Sequence, residues 1–309
     1  VRVWVLGAGA IGSLFGARWS EAGHQVVLVG RALHVAAVRR DGLQVEGTRP
    51  GVVRLDATER LPEGDPPDAV LLGMKTFDLD RSVADLGARL PGPVPVLAPQ
   101  NGLGIAEVTA AGLARAGWPD PAPWVVRAIH SVPATLVGPG VVRQAGEGSV
   151  AVPVADRPAA ARWSTLVADL GYPWRAVPSI AREEWRKVVV NAAINPVTAD
   201  HRILNGQLRD DPWRGQAIAL LDEALAVAAA GGEPLDRDEA LADLWRVVHA
   251  TAENRSSMLQ DLDRDRPTEI DAISGELLRL GHAHGLALPA TQRAVDRIRF
   301  RVASAAHTP

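Results

Sequence analysis

Val1-Arg2-Val3-Trp4-Val5-Leu6-Gly7-Ala8-Gly9-Ala10-Ile11-Gly12 opens the chain, and how this stretch is read decides the fold. Residues 1–6 are a short apolar run of strand character, and a G-x-G-x-x-G turn follows without a spacer. Leu14, Phe15, Ala17, Arg18 and Trp19 then continue in a helical pattern as far as Gly23, and Val26-Val27-Leu28-Val29 is a second apolar run. Strand, glycine turn, helix and strand in this order form the βαβ context in which the glycine pattern acquires meaning. Gly7 permits the tight turn, Gly9 lets the backbone approach a pyrophosphate, and Gly12 lets helix and strand pack closely, with phosphate held at the helix N-terminus. Gly7, Ala8, Gly9, Ala10, Ile11 and Gly12 are therefore the expected dinucleotide-binding set. A plain glycine-rich turn is the competing reading.

The second run ends Val29-Gly30-Arg31. An NAD-selective site would carry Asp or Glu there to grip the ribose 2′-hydroxyl, whereas a guanidinium suits a 2′-phosphate, so Arg31 points to NADPH. Residues 68–74 form another buried strand, with Lys75 just past its carboxyl end. Residues 95–99 form a fourth, followed by Gln100-Asn101-Gly102-Leu103-Gly104. Ligands of open α/β sheets sit outside the carboxyl ends of the strands, which puts Lys75 and Asn101 on the binding rim. Asn-Gly is also a common turn, so Asn101 has a purely structural reading too. Short runs at 125–130, 141–144 and 149–152 read as late strands, with glycines and prolines at 138–140 and 146–148 in the role of hairpin turns. His130 reads as structural. The expectation is a Rossmann-type NADP-binding α/β domain over residues 1–178 and an all-helical domain over 179–309.

In the second part, a long apolar helix around 216–230 ends at Gly231-Gly232, a helix spans 238–255, and after a loop two helices close the chain. Gly285 ends the first of these and Pro289 begins the second. Pro267 suits the first turn of the penultimate helix, with Glu269 following and Ile270, Ile273 and Leu277 as its buried stripe. A carboxylate at a helix start is favoured by the dipole and can receive a hydrogen bond or hold an ammonium.

The opening helix of this domain contains Lys187-Val188-Val189-Val190-Asn191-Ala192-Ala193-Ile194-Asn195-Pro196. Only two of the 33 Lys and Arg residues are lysines, Lys75 and Lys187. Arginine stays charged, while a lysine ammonium can be desolvated and made to give up its proton, as a general acid must. At about 100° per residue, Lys187, Asn191 and Asn195 share one helical stripe. A lysine snorkelling from a buried helix beside two satisfied amides is the alternative.

Composition bounds the function. The 309 residues are enough for two domains, and a net charge of −3 gives no general attraction for nucleic acid or anionic membrane. No apolar run is long enough to span a bilayer. With no cysteine there is no disulfide, thiolate metal site or cysteine nucleophile, and a reducing cytoplasm fits. No serine sits in a G-x-S-x-G turn. His282 and His284, two apart on a helix, do not form a chelating pair, so no metal is expected. A homodimer is compatible with the sequence without being specified by it.

Taken together, these residues resemble the ketopantoate reductases (2-dehydropantoate 2-reductases) over nearly the whole chain. The resemblance rests on the glycine turn, Lys75, Gln100-Asn101-Gly102-Leu103-Gly104, Lys187-x-x-x-Asn191-x-x-x-Asn195-Pro196-x-Thr198-Ala199, Asn205-Gly206, Ser256-Ser257-Met258-Leu259-Gln260-Asp261, and Thr268-Glu269-Ile270-Asp271. It implies reduction of 2-dehydropantoate to (R)-pantoate with NADPH, on the route to pantothenate. It further implies that Lys187 is the general acid, that Glu269 stands close to the reacting oxygen and the cofactor, and that Asn101, Asn191, Asn195, Asn205 and Ser257 hold substrate groups. Lys75 and Asn101 would reach the cofactor. Both lysines and four of the five asparagines fall on these positions. Residues 127–135 follow the family pattern only loosely. Three other readings stay open: another 2-oxo acid on the same framework, a dinucleotide-binding sensor without turnover, and a related reductase of a 3-hydroxy acid or sugar phosphate.

Overall fold

A computed structural model describes residues 1–305. The chain divides into two compact units, one made of Val1–Gln100 with Gly104–Ile180 and the other of Asn101–Leu103 with the chain from Ala181 onward.

The first unit runs β1 (Arg2–Leu6), α1 (Ala10–Glu21), β2 (Gln25–Val29), α2 (Ala32–Asp41), β3 (Leu43–Gly47), β4 (Gly51–Val53), β5 (Asp56–Thr58), β6 (Ala69–Leu72), α3 (Leu79–Arg89), β7 (Val96–Ala98), α4 (Ile105–Arg115) and β8 (Val125–Arg127). It continues with β9 (Ile129–His130), β10 (Ala134–Gly138), β11 (Val141–Gln144), β12 (Val150–Pro153), α5 (Pro158–Asp169) and β13 (Trp174–Val177). Among the described residues the strands make three sheets, ordered β5-β2-β1-β6-β7-β8, β10-β11-β3-β4 and β13-β12-β9. The first is parallel throughout. Its strands are apolar on both faces because helices cover both: Val3, Val5 and Leu28 pack with Phe15 and Trp19 of α1 on one side, while Trp4, Leu6, Val70 and Leu72 pack with Leu79, Val83 and Leu86 of α3 on the other. The chain leaves β1 for β2 on one flank and enters β6 on the other, so the glycine turn after β1 stands at the reversal of strand order, where doubly wound sheets bind ligands.

The expected α/β class is found, with two local corrections. The turn at 138–140 does close an antiparallel hairpin of β10 and β11, but the one at 146–148 does not. β11 pairs instead with β3, and β12 with β9 and β13, so residues 145–149 carry the chain between sheets. Alternation alone gives a strand's faces and not its partner. A buried arginine explains how the second sheet is fastened: Arg18, 1 % exposed, donates to Glu21 at 2.9 Å, to Arg49 O at 2.9 Å and to Gln144 Oε1 at 3.0 Å.

His34 of α2 makes a second fastening. It is buried, its Nδ1 accepts from Gly140 N at 3.0 Å, and its Nε2 lies 3.1 Å from Ser13 Oγ. An accepting Nδ1 requires the neutral ring with the proton on Nε2, and burial lowers the imidazole's pKa. A histidine lowered in the folded state adds stability above its unfolded value of about 6.5, and that stability is lost as pH falls through the folded value. Thermal melts between pH 8 and 5 are expected to show the wild type losing more stability below about pH 6.5 than His34→Gln, which titrates no proton there. Parallel curves would remove His34 from the acid response.

The second unit contains α6 (Ile180–His201), α7 (Trp213–Ala230), α8 (Arg237–Ala250), α9 (Ser257–Leu262), α10 (Glu276–Ala283) and α11 (Pro289–Ala305), with a 3-10 turn at Asn205–Arg209. α6 holds helix through the β-branched run Val188, Val189 and Val190 because these side chains are buried with Leu220, Leu221, Ala224 and Leu244. Burying each is worth about 1.5–3 kcal/mol, against a few tenths lost in helix propensity. Two expected boundaries shift. α8 stops at Ala250 rather than 255, and part of the anticipated loop is the helix α9, capped by Ser256, whose Oγ accepts from Leu259 N at 3.2 Å. The penultimate helix begins at Ile270 rather than at Pro267, as a π turn over Asp271–Gly275 that runs into α10. Among the described residues no helix is long and apolar enough to cross a membrane.

Candidate active site

The candidate residues fall in both units, and each set is built locally. In the first unit, Gly7 N and Ala8 N both donate to Val29 O at 2.9 Å, folding the chain back sharply after β1. Gly7 has φ +95°, and a Cβ there would overlap the backbone nitrogen of Met74; a Cβ at Gly12 would overlap the carbonyl oxygen of Gly7. Both glycines are required by the packing of the turn, as is Gly73, whose Cβ would lie 2.6 Å from Gly7 O. Gly73 was visible only as a glycine closing the third apolar run, with no signal of its purpose.

Gly9 is different. It caps α1 with φ −78°, and a Cβ added there would meet nothing closer than Gly73 O at 3.5 Å. The fold tolerates a side chain at this position, so the glycine keeps open space for something outside the chain. The first turn of α1 carries no acidic residue, leaving its backbone N–H groups and dipole disposed toward an anion. These features fit a bound pyrophosphate. Gly12→Ala is expected to lower stability by about 1–3 kcal/mol, through forced backbone movement. Gly9→Ala is expected to leave the melting temperature nearly unchanged while weakening dinucleotide binding by roughly tenfold or more. Melting curves and dinucleotide titrations on both variants check the contrast, and equal loss of stability in the two would contradict it.

Arg31 caps α2 and is exposed. Lys75, half-buried, precedes the turn Thr76–Asp78 beyond the carboxyl end of β6. Gln100, past β7, is buried and donates to Leu72 O at 3.0 Å, while the buried Arg127 donates to Ala98 O at 2.7 Å and Gln100 O at 2.7 Å. Residues 98–100 are thereby held immediately before Asn101. Neither Gln100 nor Arg127 was singled out from sequence for this task, because a buried cation serving three carbonyls has no periodic signature.

In the second unit, Asn101–Leu103 is packed among the helices. Leu103 joins the core with Ile273 and Leu277, and Gly102, at φ +116°, has no room for a Cβ, which would come 2.6 Å from Ala272 O. This close approach brings Asn101 to the helix start, where its Nδ2 donates to Glu269 Oε2 at 3.0 Å. Glu269 is 5 % exposed, and its carbonyl accepts from Ile273 N at 3.1 Å as the π turn begins. π segments recur at functional sites, where they shift a side chain out of ordinary helical spacing.

α6 is continuous from Ile180 to His201, so Lys187, Asn191 and Asn195 do share a stripe; the first two are half-buried and the third is buried. Pro196 lies inside the helix and cannot donate to the carbonyl one turn before it. Thr198 Oγ1 donates to Ile194 O at 2.8 Å and lies 2.7 Å from Ser256 Oγ, which ties α6 to the start of α9. Ser256 is the buried, anchoring serine, and Ser257 is the exposed one beside it. Asn205 is buried, with its backbone N donating to Asn254 O at 3.0 Å and Nδ2 donating to Thr251 Oγ1 at 2.9 Å. Thr251 Oγ1 already donates to Val247 O at 2.7 Å, so it can only accept from Asn205, and this fixes the amide's orientation. Asn205 Oδ1 is left as a buried acceptor with no hydrogen-bond partner, the kind of group a bound hydroxyl would satisfy.

Residues 3–157 match the family model described as Ketopantoate reductase PanE/ApbA, and residues 179–302 match its C-terminal counterpart. A 2-dehydropantoate 2-reductase of Archaeoglobus fulgidus is 34 % identical over 289 residues, covering 92 % of both chains. One from Vibrio cholerae is 32 % identical over 309 residues, covering 97 % of both. Among solved structures, a PanE/ApbA family ketopantoate reductase from Ralstonia eutropha superposes with a TM-score of 0.88 at 28 % identity, over 99 % of this chain and 100 % of that one. A D-mandelate dehydrogenase solved with NADH and anilino(oxo)acetate superposes at 0.91 with 24 % identity over the whole of both chains, a likeness of fold.

Proposed function

The chain belongs to the ketopantoate reductase family, oxidoreductases acting on a CH–OH group, and from that premise we propose that it reduces 2-dehydropantoate to (R)-pantoate with NADPH. When bound, the reduced nicotinamide supplies a hydride to the ketone carbon. The remaining requirements fall to the chain. Alkoxide character develops on the ketone oxygen as the carbon is attacked, and the Lys187 ammonium stabilises that charge and donates the proton that completes the alcohol. Asn191, Asn195, Asn205, Asn101 and Ser257 recognise the carboxylate and hydroxyl groups of the substrate. Glu269 orients the Asn101 amide and lies close to the reacting oxygen. Gly9 and the first turn of α1 receive the pyrophosphate, Arg31 pairs with the 2′-phosphate, and Lys75 reaches the cofactor.

The observation that carries this reading is the unbroken helix Ile180–His201, which keeps a scarce lysine on one stripe with two amides. A single assay tests it: oxidation of NADPH and of NADH, followed separately, with 2-dehydropantoate and with a panel of simpler and bulkier 2-oxo acids that includes an aryl one. Preferred turnover of 2-dehydropantoate with NADPH is expected. Higher kcat/KM on another 2-oxo acid would reassign the substrate within the same chemistry. Dinucleotide binding without turnover on any of them would make the chain a sensor.

A further inference from the structure

We propose that Arg60 is a second cation of the dinucleotide site and grips, together with Arg31, the 2′-phosphate that distinguishes NADPH from NADH. The proposal rests on the NADPH reading above and extends it to a residue on a different strand.

β2 and β5 run parallel at the edge of the main sheet, with Val27 opposite Asp56, Leu28 opposite Ala57 and Val29 opposite Thr58. The register persists one residue further, since Gly30 N donates to Thr58 O at 2.9 Å. There the chains part. Arg31 stays extended at φ −75°, ψ 149° as the cap of α2, while the other chain bends through Glu59, with Arg60 N donating to Thr58 Oγ1 at 3.4 Å. Two exposed arginines thus follow the ends of adjoining strands, which lie about 5 Å apart where they pair, on the same carboxyl edge as the glycine turn.

Position 30, just before Arg31, is closed to a carboxylate of the kind that selects NAD. Residue 30 is glycine, and a Cβ there would lie 2.8 Å from the Ala8 Cβ, so a side chain at that point would press on the turn itself. Charge also argues for two guanidiniums rather than one. A phosphate monoester carries about −1.5 to −2 at neutral pH, and Glu59 adds a carboxylate beside it. With Glu59 counted, Arg31 alone would leave a charge of about −1.5 to −2, whereas Arg31 and Arg60 together reduce it to about −0.5 to −1, with planar donors suited to bidentate contact with phosphate oxygens.

The test is calorimetric titration of the wild-type chain, Arg31→Ala, Arg60→Ala and Arg60→Lys with 2′,5′-ADP and, separately, with 5′-AMP, which lacks the 2′-phosphate. Arg60→Ala is expected to weaken 2′,5′-ADP by roughly tenfold or more and to leave 5′-AMP unchanged, as expected for loss of a charged hydrogen bond. Arg60→Lys should restore part of the loss. If Arg60→Ala binds 2′,5′-ADP like the wild type while Arg31→Ala does not, the proposal is overturned and the NADPH reading stands. Equal weakening of both ligands in Arg60→Ala would also overturn it, since the residue would then be shaping the site in general. A wild type that binds the two ligands equally would remove the NADPH reading and the proposal with it.

Discussion

Lys187→Ala is expected to lower kcat by about 10²–10⁴-fold, the span that a positioned general acid contributes, while leaving the Kd for NADPH nearly unchanged. The split follows from where the residue lies. Lys187 belongs to α6 in the helical unit, whereas Gly9, the first turn of α1, Arg31 and Lys75, the groups proposed to hold the dinucleotide, belong to the α/β unit. An interaction made mainly as the oxyanion forms removes its share from kcat and kcat/KM alike. Lys187→Arg sharpens the test, because it keeps the positive charge and loses the readily donated proton. If proton donation is the main contribution, the arginine variant should remain well below the wild type. If charge alone suffices, it should recover most of the rate. Wild-type turnover in Lys187→Ala would end the assignment of Lys187 as the acid.

Much of the fold could be read locally, and the failures have a common cause. The βαβ start was legible because Gly7, Gly9 and Gly12 sit between apolar runs of opposite periodicity, and the stripe of Lys187, Asn191 and Asn195 because α6 is one helix. What local pattern could not supply was partnership. The strands at 141–144 and 149–152 look like neighbours in sequence, yet they pair in different sheets. The helix starts at Ile270, although Pro267 offers a local start signal three residues earlier. Ser256 and Ser257 are equivalent as letters, and only burial separates the capping serine from the exposed one. The anchoring roles of Arg127 and Gln100 have no local signal for the same reason, since they are carried by hydrogen bonds to carbonyls of other strands, Ala98 O for Arg127 and Leu72 O for Gln100. Asn101 was placed with the α/β sheet by its position after β7, and its packing joins it to the helices instead.

That last placement gives Glu269 its expected behaviour. The residue is 5 % exposed and its carboxylate accepts from Asn101 Nδ2 at 3.0 Å, so replacing it changes two things at once. The charge is lost, and the half-buried Asn101 amide is deprived of this acceptor, at a cost of about 1 kcal/mol in stability. Glu269→Ala is therefore expected to lose substrate affinity and rate together, with a reduced melting temperature. Glu269→Gln separates the two effects, because its amide oxygen can still accept from Asn101 while the charge is gone. If the charge acts on the reacting groups, Glu269→Gln should melt near the wild type and still lose roughly 10–100-fold in kcat/KM, the equivalent of one hydrogen bond to a charged group. A cycle that adds Asn101→Ala completes the argument: residues in direct contact typically couple by about 0.5–3 kcal/mol, and coupling of that size in kcat/KM, beyond any in stability, would mean that the pair acts on the substrate as a unit. Coupling confined to the melting temperature, with kcat/KM unaffected in Glu269→Gln, would leave the pair as a clamp that holds the Asn101 turn against the helix start and nothing more.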